Sequence, residues 1–408
     1  MNKGRIRHVL LTALSVFAVG ARLSAAEPRP NFLLIVADDL CWRDLGCTGN
    51  VDVKTPHIDR LASEGVHMRG MFSPATSCSP TRHALYTGLF PIRSGAYPNH
   101  ARVDESTRSV FTHLKAMGYR VALQGKTHVS PPPSFPFEHL SSNPDNVAVF
   151  TKFIRRDPAQ PWLAVLASND PHVPWTRGPA KAYDPKKLTI PPYLNGDALT
   201  RANLAAYYAE ISQLDTQVGA WLQALEESGQ KETTLVLFVS EQGSSFPYGG
   251  KQTVYDNGIR SAAFLRWPGK VAAGTSSDAL MQYVDVAPTF IAVAGGDPDA
   301  IDTGCPNRAG GSGFDGRSFL GALVGGAEIF RDVIYAQHTT VGLNGYTKPY
   351  PCRAVRDSRY KLIRNLAPQN AFVFDRIDPD QGGNLPWRYG VMLDAWRSAT
   401  RSSALVAR

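Results

Sequence analysis

Four stretches of the chain are continuously apolar, and each ends abruptly in polar residues. They are Asn31–Ala37, Tyr119–Gln124, Trp162–Ala167 and Thr234–Val239. Their length and pattern predict strands buried on both faces of a parallel sheet. The first is followed by Asp38-Asp39, the second by Gly125-Lys126-Thr127-His128. The third empties into Ser168-Asn169-Asp170-Pro171-His172 and the fourth into Ser240-Glu241-Gln242-Gly243. Ligands of open α/β sheets bind outside the carboxyl ends of the strands. Four such ends predict one site along one sheet edge, where a single one would be an ordinary loop.

Helical periodicity fills the intervals. Thr55–Ala62 starts an amphipathic helix ending at Gly65, and Phe111–Met117 is another, closed by Gly118. Ala202–Glu227 is the longest, with Leu204, Ile211, Leu214, Val218, Leu222 and Leu225 on one buried face. Phe264-Leu265 with Trp267-Pro268-Gly269 reads as a strand and turn, and Pro174–Pro192 as a loop over the site. Beyond a glycine-rich boundary at Gly304–Gly326, the segments Asp332–Ala336, Arg353–Asp357 and Tyr360–Arg364 suit a small antiparallel sheet. The predicted fold is α/β: a large, mainly parallel sheet flanked by helices over 27–326, with a small subdomain over 327–408.

Composition agrees with one large core, because 43% of the 408 residues are hydrophobic. Residues 1–26 read as a signal peptide. Lys3, Arg5 and Arg7 precede the apolar run Val9–Gly20, and Ser24-Ala25-Ala26 offers a small-residue cleavage site. That run is too short to span a bilayer comfortably, so the expectation is export to the periplasm or medium without stable membrane insertion. Removing Lys3, Arg5, Arg7 and Arg22 lowers the formal charge from +8 to +4. A mildly basic exported protein suits an anionic substrate. The basic residues form no runs, which argues against nucleic acid. Five cysteines, at 41, 47, 78, 305 and 352, leave one unpaired in an oxidising compartment. A Cys305–Cys352 bridge is one pairing among several.

Ser77-Cys78-Ser79-Pro80-Thr81-Arg82 reads as a helix start, with Ser79 able to cap, Pro80 suited to the first turn and Gly88 able to end the helix. Cys78 then sits where N–H groups and the positive end of the dipole converge, a setting that activates a nucleophile. The plainer reading is a structural cysteine beside a cap. Asp38 and Asp39 repel each other unless a cation or basic groups lie between them, and otherwise form an exposed acidic turn. Lys126 and His128, two apart in extended chain, point the same way, towards one anion or simply into a loop. His172 and Lys251 follow in loops of the same edge.

Cys78-Ser79-Pro80-Thr81-Arg82 has the Cys-x-Pro-x-Arg form of the sulfatase maturation signature, with Thr87-Gly88-Leu89 downstream. With the Asp pair, Gly125-Lys126-Thr127-His128, Pro171-His172, Glu241-Gln242, Lys251 and Trp267-Pro268-Gly269 in that order, the mature chain resembles the sulfatases of the alkaline-phosphatase superfamily. Within them it is most similar to heparan N-sulfatases. That similarity rests on Phe135-Pro136-Phe137, Ala182-Tyr183-Asp184-Pro185, Phe246-Pro247, Tyr350–Val355 and Tyr360–Asn365.

The resemblance implies that a maturation enzyme oxidises Cys78 to formylglycine, whose hydrate is nucleophile and metal ligand. It implies Asp38, Asp39, Glu241 and Gln242 as the other ligands of one Ca2+, oxygen donors suited to a hard ion. Arg82, Lys126, His128, His172 and Lys251 would complete the catalytic set around a sulfated saccharide. Glu241-Gln242 departs from the family's usual Asp and Asn by one methylene each. The family's Leu-Tyr-Asp strand and Glu-x-x-Asn-Leu segment are not found after Trp396, which implies a shortened or divergent tail. The leading expectation is hydrolysis of a glycan sulfate, the N-sulfate of glucosamine foremost. An O-sulfatase is the nearest alternative and a phosphonate hydrolase a further one. A degenerate sulfated-glycan binder is the non-enzymatic alternative, separable by its lack of calcium affinity.

Overall fold

All seven residues of the strand Asn31–Ala37 (β1) are buried, but they face two ways. Phe32, Leu34 and Val36 join one apolar cluster, and Leu33, Ile35 and Ala37 join another. The alternation of a strand thus divides the core into two layers with the sheet between them. The computed structural model describes residues 29–246, 250–324, 330–341 and 349–370. The expected signal peptide and the tail beyond 370 lie outside the described residues.

The further strands in chain order are Val66–Met68 (β2), Met71–Phe72 (β3), Arg120–Gly125 (β4), Glu138–Ser141 (β5), Trp162–Ala167 (β6) and Thr234–Ser240 (β7). Ala263–Arg266 (β8), Thr275–Ser277 (β9), Met281–Gln282 (β10), Ile334–His338 (β11), Cys352–Arg356 (β12) and Lys361–Asn365 (β13) complete them. The large sheet runs β5-β4-β6-β1-β7-β8-β2-β9. Its β5 to β7 half is parallel throughout, and β8 runs antiparallel to both β7 and β2. The four apolar runs are therefore adjacent strands in the order β4-β6-β1-β7, as their common pattern requires.

Helices Cys78–Thr87, Val110–Ala116 and Val286–Val293 pack on the Phe32 face. Helices Pro56–Ser63, Val147–Arg155 and Ala198–Glu227 cover the Leu33 face. Each fully buried Leu, Ile, Val or Phe contributes about 1.5–3 kcal/mol relative to exposure.

β11, β12 and β13 form the expected antiparallel sheet, displaced by up to two residues from the apolar pattern. It docks on the chain ahead of Cys78, where the Gln337 N–H donates to the Pro74 carbonyl at 3.0 Å. Asp256 accepts from Lys361 at 2.5 Å and adds a tie between this sheet and the loop after Lys251. Two expectations need correction. All five cysteines are free: Cys352 lies in β12, and Cys305 donates instead to the Arg93 carbonyl. The helix that carries Cys78 begins at that residue with Ser77 at the N-cap, so Ser79 and Pro80 are already inside its first turn.

Candidate active site

The sheet's hydrogen bonding continues past the strand ends and fixes the polar clusters relative to one another. The Asp38 N–H donates to the Asp170 carbonyl at 3.1 Å and the Glu241 N–H to the Ala37 carbonyl at 2.8 Å. The Ser168 N–H donates to Val36 at 2.9 Å and the Lys126 N–H to Ala167 at 3.0 Å. Opposite this edge, Ser77 in extended backbone turns into the helix and places Cys78 in its first turn. Gly88 ends that helix at φ 68, where a Cβ would also strike the Phe314 ring 2.5 Å away. Glycine is needed there on both counts.

Two networks meet at Cys78. In the first, the Asp38 carboxylate lies 3.6 Å from the Cys78 sulfur and accepts from Lys126 Nζ at 2.5 Å. Arg82, with a fully buried side chain, donates its Nε to Glu241 at 2.7 Å, its second fork to the same carboxylate at 3.2 Å, and Nη1 to the Lys126 carbonyl at 2.7 Å. In the second, Asp39 accepts from Lys251 Nζ at 2.6 Å, Ser245 Oγ at 2.7 Å and Gln242 Nε2 at 2.6 Å. Gln242 Nε2 also reaches the Cys78 sulfur at 3.3 Å, and His172 Nε2 stands 3.6 Å from Asp39.

Electrostatics follow from this packing. Burial pushes Asp38 up, but Lys126, a hydrogen bond with Glu241, His172 and Arg82 hold it well below the carboxylate range. Burial likewise opposes ionisation of Cys78, and Lys126 and Lys251 more than reverse it, so the thiol lies well below its ordinary value. Glu241 is raised by burial, which Arg82 only partly offsets, with Asp38 and Cys78 adding to the rise. Burial and Lys251 lower His172, yet Asp39 and Asp38 leave it raised overall. Burial and mutual charge produce these shifts, which an exposed acidic turn would not show.

Ligand atoms of Asp38, Asp39, Cys78 and Glu241 all lie within 4.8 Å of one another and are buried. The Gln242 carbonyl oxygen is buried without a partner among the described residues. Three crowded carboxylates and an orphaned amide oxygen are the oxygen donors that fit a hard divalent cation.

All ten residues singled out in the sequence converge here, with one difference in backbone. His128 adopts φ 51 rather than extended chain, so it reaches the site through a left-handed turn. Ser245, Asn99 and His100 were not legible. Ser245 lies in a loop three residues after Gln242. Asn99 and His100 follow no strand and carry no local pattern; His100 meets His128 only through the fold.

Comparison with known proteins identifies the family. A sulfatase family profile matches residues 30–148 and 141–296, and an N-sulphoglucosamine sulphohydrolase C-terminal profile matches 245–385. An ulvan-active sulfatase of Formosa agariphila is 31% identical over 84% of this chain and 67% of its own length. Human N-sulphoglucosamine sulphohydrolase is 29% identical over 87% of this chain and 76% of its own. A solved structure in complex with its substrate, D-glucosamine-2-N,6-O-disulfate, superposes with a TM-score of 0.66 at 20% identity, covering 82% of this chain and 88% of the other. The sheet, the Cys78 helix and the profile match lead to one assignment: this chain belongs to the sulfatase family of hydrolases.

Proposed function

We propose that the chain is an exported sulfatase that removes the N-sulfate of glucosamine from heparan-type fragments, using formylglycine formed from Cys78 and one Ca2+. The observation that carries the reading is the convergence on Cys78 of two lysines, Arg82, His172 and a carboxylate cluster at four adjacent strand ends. Asp38, Asp39, Glu241, Gln242 and residue 78 would hold the cation. With hydrate and cation in place, they supply a hydroxyl acidic enough to attack sulfur near neutral pH.

The chain's own residues do the rest. Lys126 and Lys251 are ion-paired to the two carboxylates that a cation would claim, which would turn both ammoniums towards sulfate oxygens. Arg82, fixed by Glu241 and by the Lys126 carbonyl, ties the Cys78 helix to the ends of the strands that carry Glu241 and Lys126. His128 holds the hydrate. His172 donates its Nδ1–H to the Val173 carbonyl, which leaves Nε2 to carry a proton to the departing group. A sulfamate leaves through nitrogen, whose protonation matters more than that of an alcohol oxygen.

Preference for the N-sulfate is supported by the C-terminal profile and by the human relative. The second reading is a 6-O-sulfatase, since the bound substrate of a structural neighbour carries both an N- and a 6-O-sulfate. The test is sulfate release from glucosamine N-sulfate and glucosamine 6-O-sulfate by matured protein. At least tenfold higher kcat/KM on the N-sulfate is expected. The reverse preference selects the second reading, and release from neither contradicts both.

A further inference from the structure

Among the described residues, four non-glycine residues have left-handed backbone: Asp39, His100, His128 and Gln252. Such conformations cost about 1–3 kcal/mol each and persist where surrounding structure enforces them. Asp39 belongs to the carboxylate cluster, and Gln252 follows Lys251. His100 and His128 face each other, with His128 Nε2 2.9 Å from His100 Nδ1. The other nitrogen of His100, Nε2, lies 3.0 Å from the Asn99 amide nitrogen, and Asn99 Oδ1 accepts the Ser79 N–H at 3.3 Å.

These contacts permit only one arrangement of protons. The Ser79 N–H is a donor, so the Asn99 oxygen must face it and the Asn99 NH2 must face His100. An amide NH2 only donates, so His100 Nε2 accepts and the His100 proton resides on Nδ1. That proton is directed at His128 Nε2, which must therefore accept in turn. The His128 proton is left on Nδ1. This nitrogen is buried and has no other partner among the described residues, while the His128 ring lies close enough to Cys78 to help lower its pKa.

We infer that Asn99 and His100 are positioning residues: a relay from the backbone of the nucleophile helix that fixes His128 as the Nδ1–H tautomer and aims that N–H at residue 78. The inference rests on the proposed sulfatase reading for its purpose, but not for its geometry. An N–H fixed in this way can donate to an oxygen of the group at residue 78 and cannot accept from it. The opposite tautomer would offer a lone pair there and lose the hydrogen bond. Outer partners that fix the tautomer of a metal-bound histidine are typically worth about ten- to a hundredfold in activity, and the same scale is expected for this relay.

The experiment is two-bond 1H–15N correlation NMR of the mature full chain labelled at histidine, with the His128 signals assigned by His128→Gln. The expected spectrum shows neutral His128 protonated at Nδ1. Protonation at Nε2 overturns the relay, and this reading needs no turnover. Asn99→Leu removes the donor without adding a charge and should release the His128 tautomer preference, lowering kcat about ten- to a hundredfold with KM changed less than about threefold. Asn99→Gln, which retains the amide, should recover part of kcat. A folded Asn99→Leu protein with both the His128 tautomer and kcat unchanged overturns the inference. An Nδ1–H tautomer in a protein without sulfatase activity would uphold the relay and contradict the sulfatase reading instead.

Discussion

Arg82 and Glu241 set the residue scale, because both side chains are fully buried and each is the other's charge partner. Removing one member of such a pair leaves a desolvated charge, at a typical cost of 3–5 kcal/mol. Glu241→Ala should therefore destabilise the protein by about 3–5 kcal/mol in chemical denaturation. A change below about 1 kcal/mol would show that Arg82 is satisfied otherwise. Glu241→Asp with Gln242→Asn should retain cation affinity by calorimetry, because the oxygen types are unchanged. Replacing both by Ala should abolish it, and unchanged affinity would remove them from the site. The sequence shows that these two residues end a strand, but not that Glu241 meets a guanidinium 159 positions earlier.

At the scale of elements, the apolar runs were readable because strands of a parallel sheet are buried on both faces and need no polar alternation. β2 and β9 have three residues each and were not readable; a run that short carries no period. The sheet edge depends on Gly125, at φ 87 with its Cα facing the Ala167 carbonyl. A Cβ there would approach that oxygen to 1.9 Å. Gly125→Ala should lower stability by at least about 1–3 kcal/mol from backbone strain alone. It should also displace Lys126, so that KM for the sulfated substrate rises. Unchanged stability and KM would mean that β4 and β6 separate without cost.

For the whole molecule, the large sheet supplies the ligand cluster and the small sheet braces the chain leading into Cys78, through Thr76 Oγ1 and His338 Nδ1 at 2.8 Å. A cation joining Asp38, Asp39 and Gln242 would tie β1 to the end of β7 and stabilise the folded state by mass action. With calcium at a thousand times its Kd that amounts to about 4 kcal/mol. Chelation should lower Tm measurably and calcium should restore it. An unchanged Tm would place the cation elsewhere or exclude it. No helix among the described residues is long and apolar enough to cross a membrane.

The central claim is that Cys78 becomes the nucleophile in modified form, and the mass of the peptide containing it tests this most directly. Protein expressed in a host that matures other sulfatases should yield a peptide with aldehyde oxygen in place of the thiol. An unmodified cysteine from that host would contradict the mechanism and shift the reading towards a sulfated-glycan-binding protein.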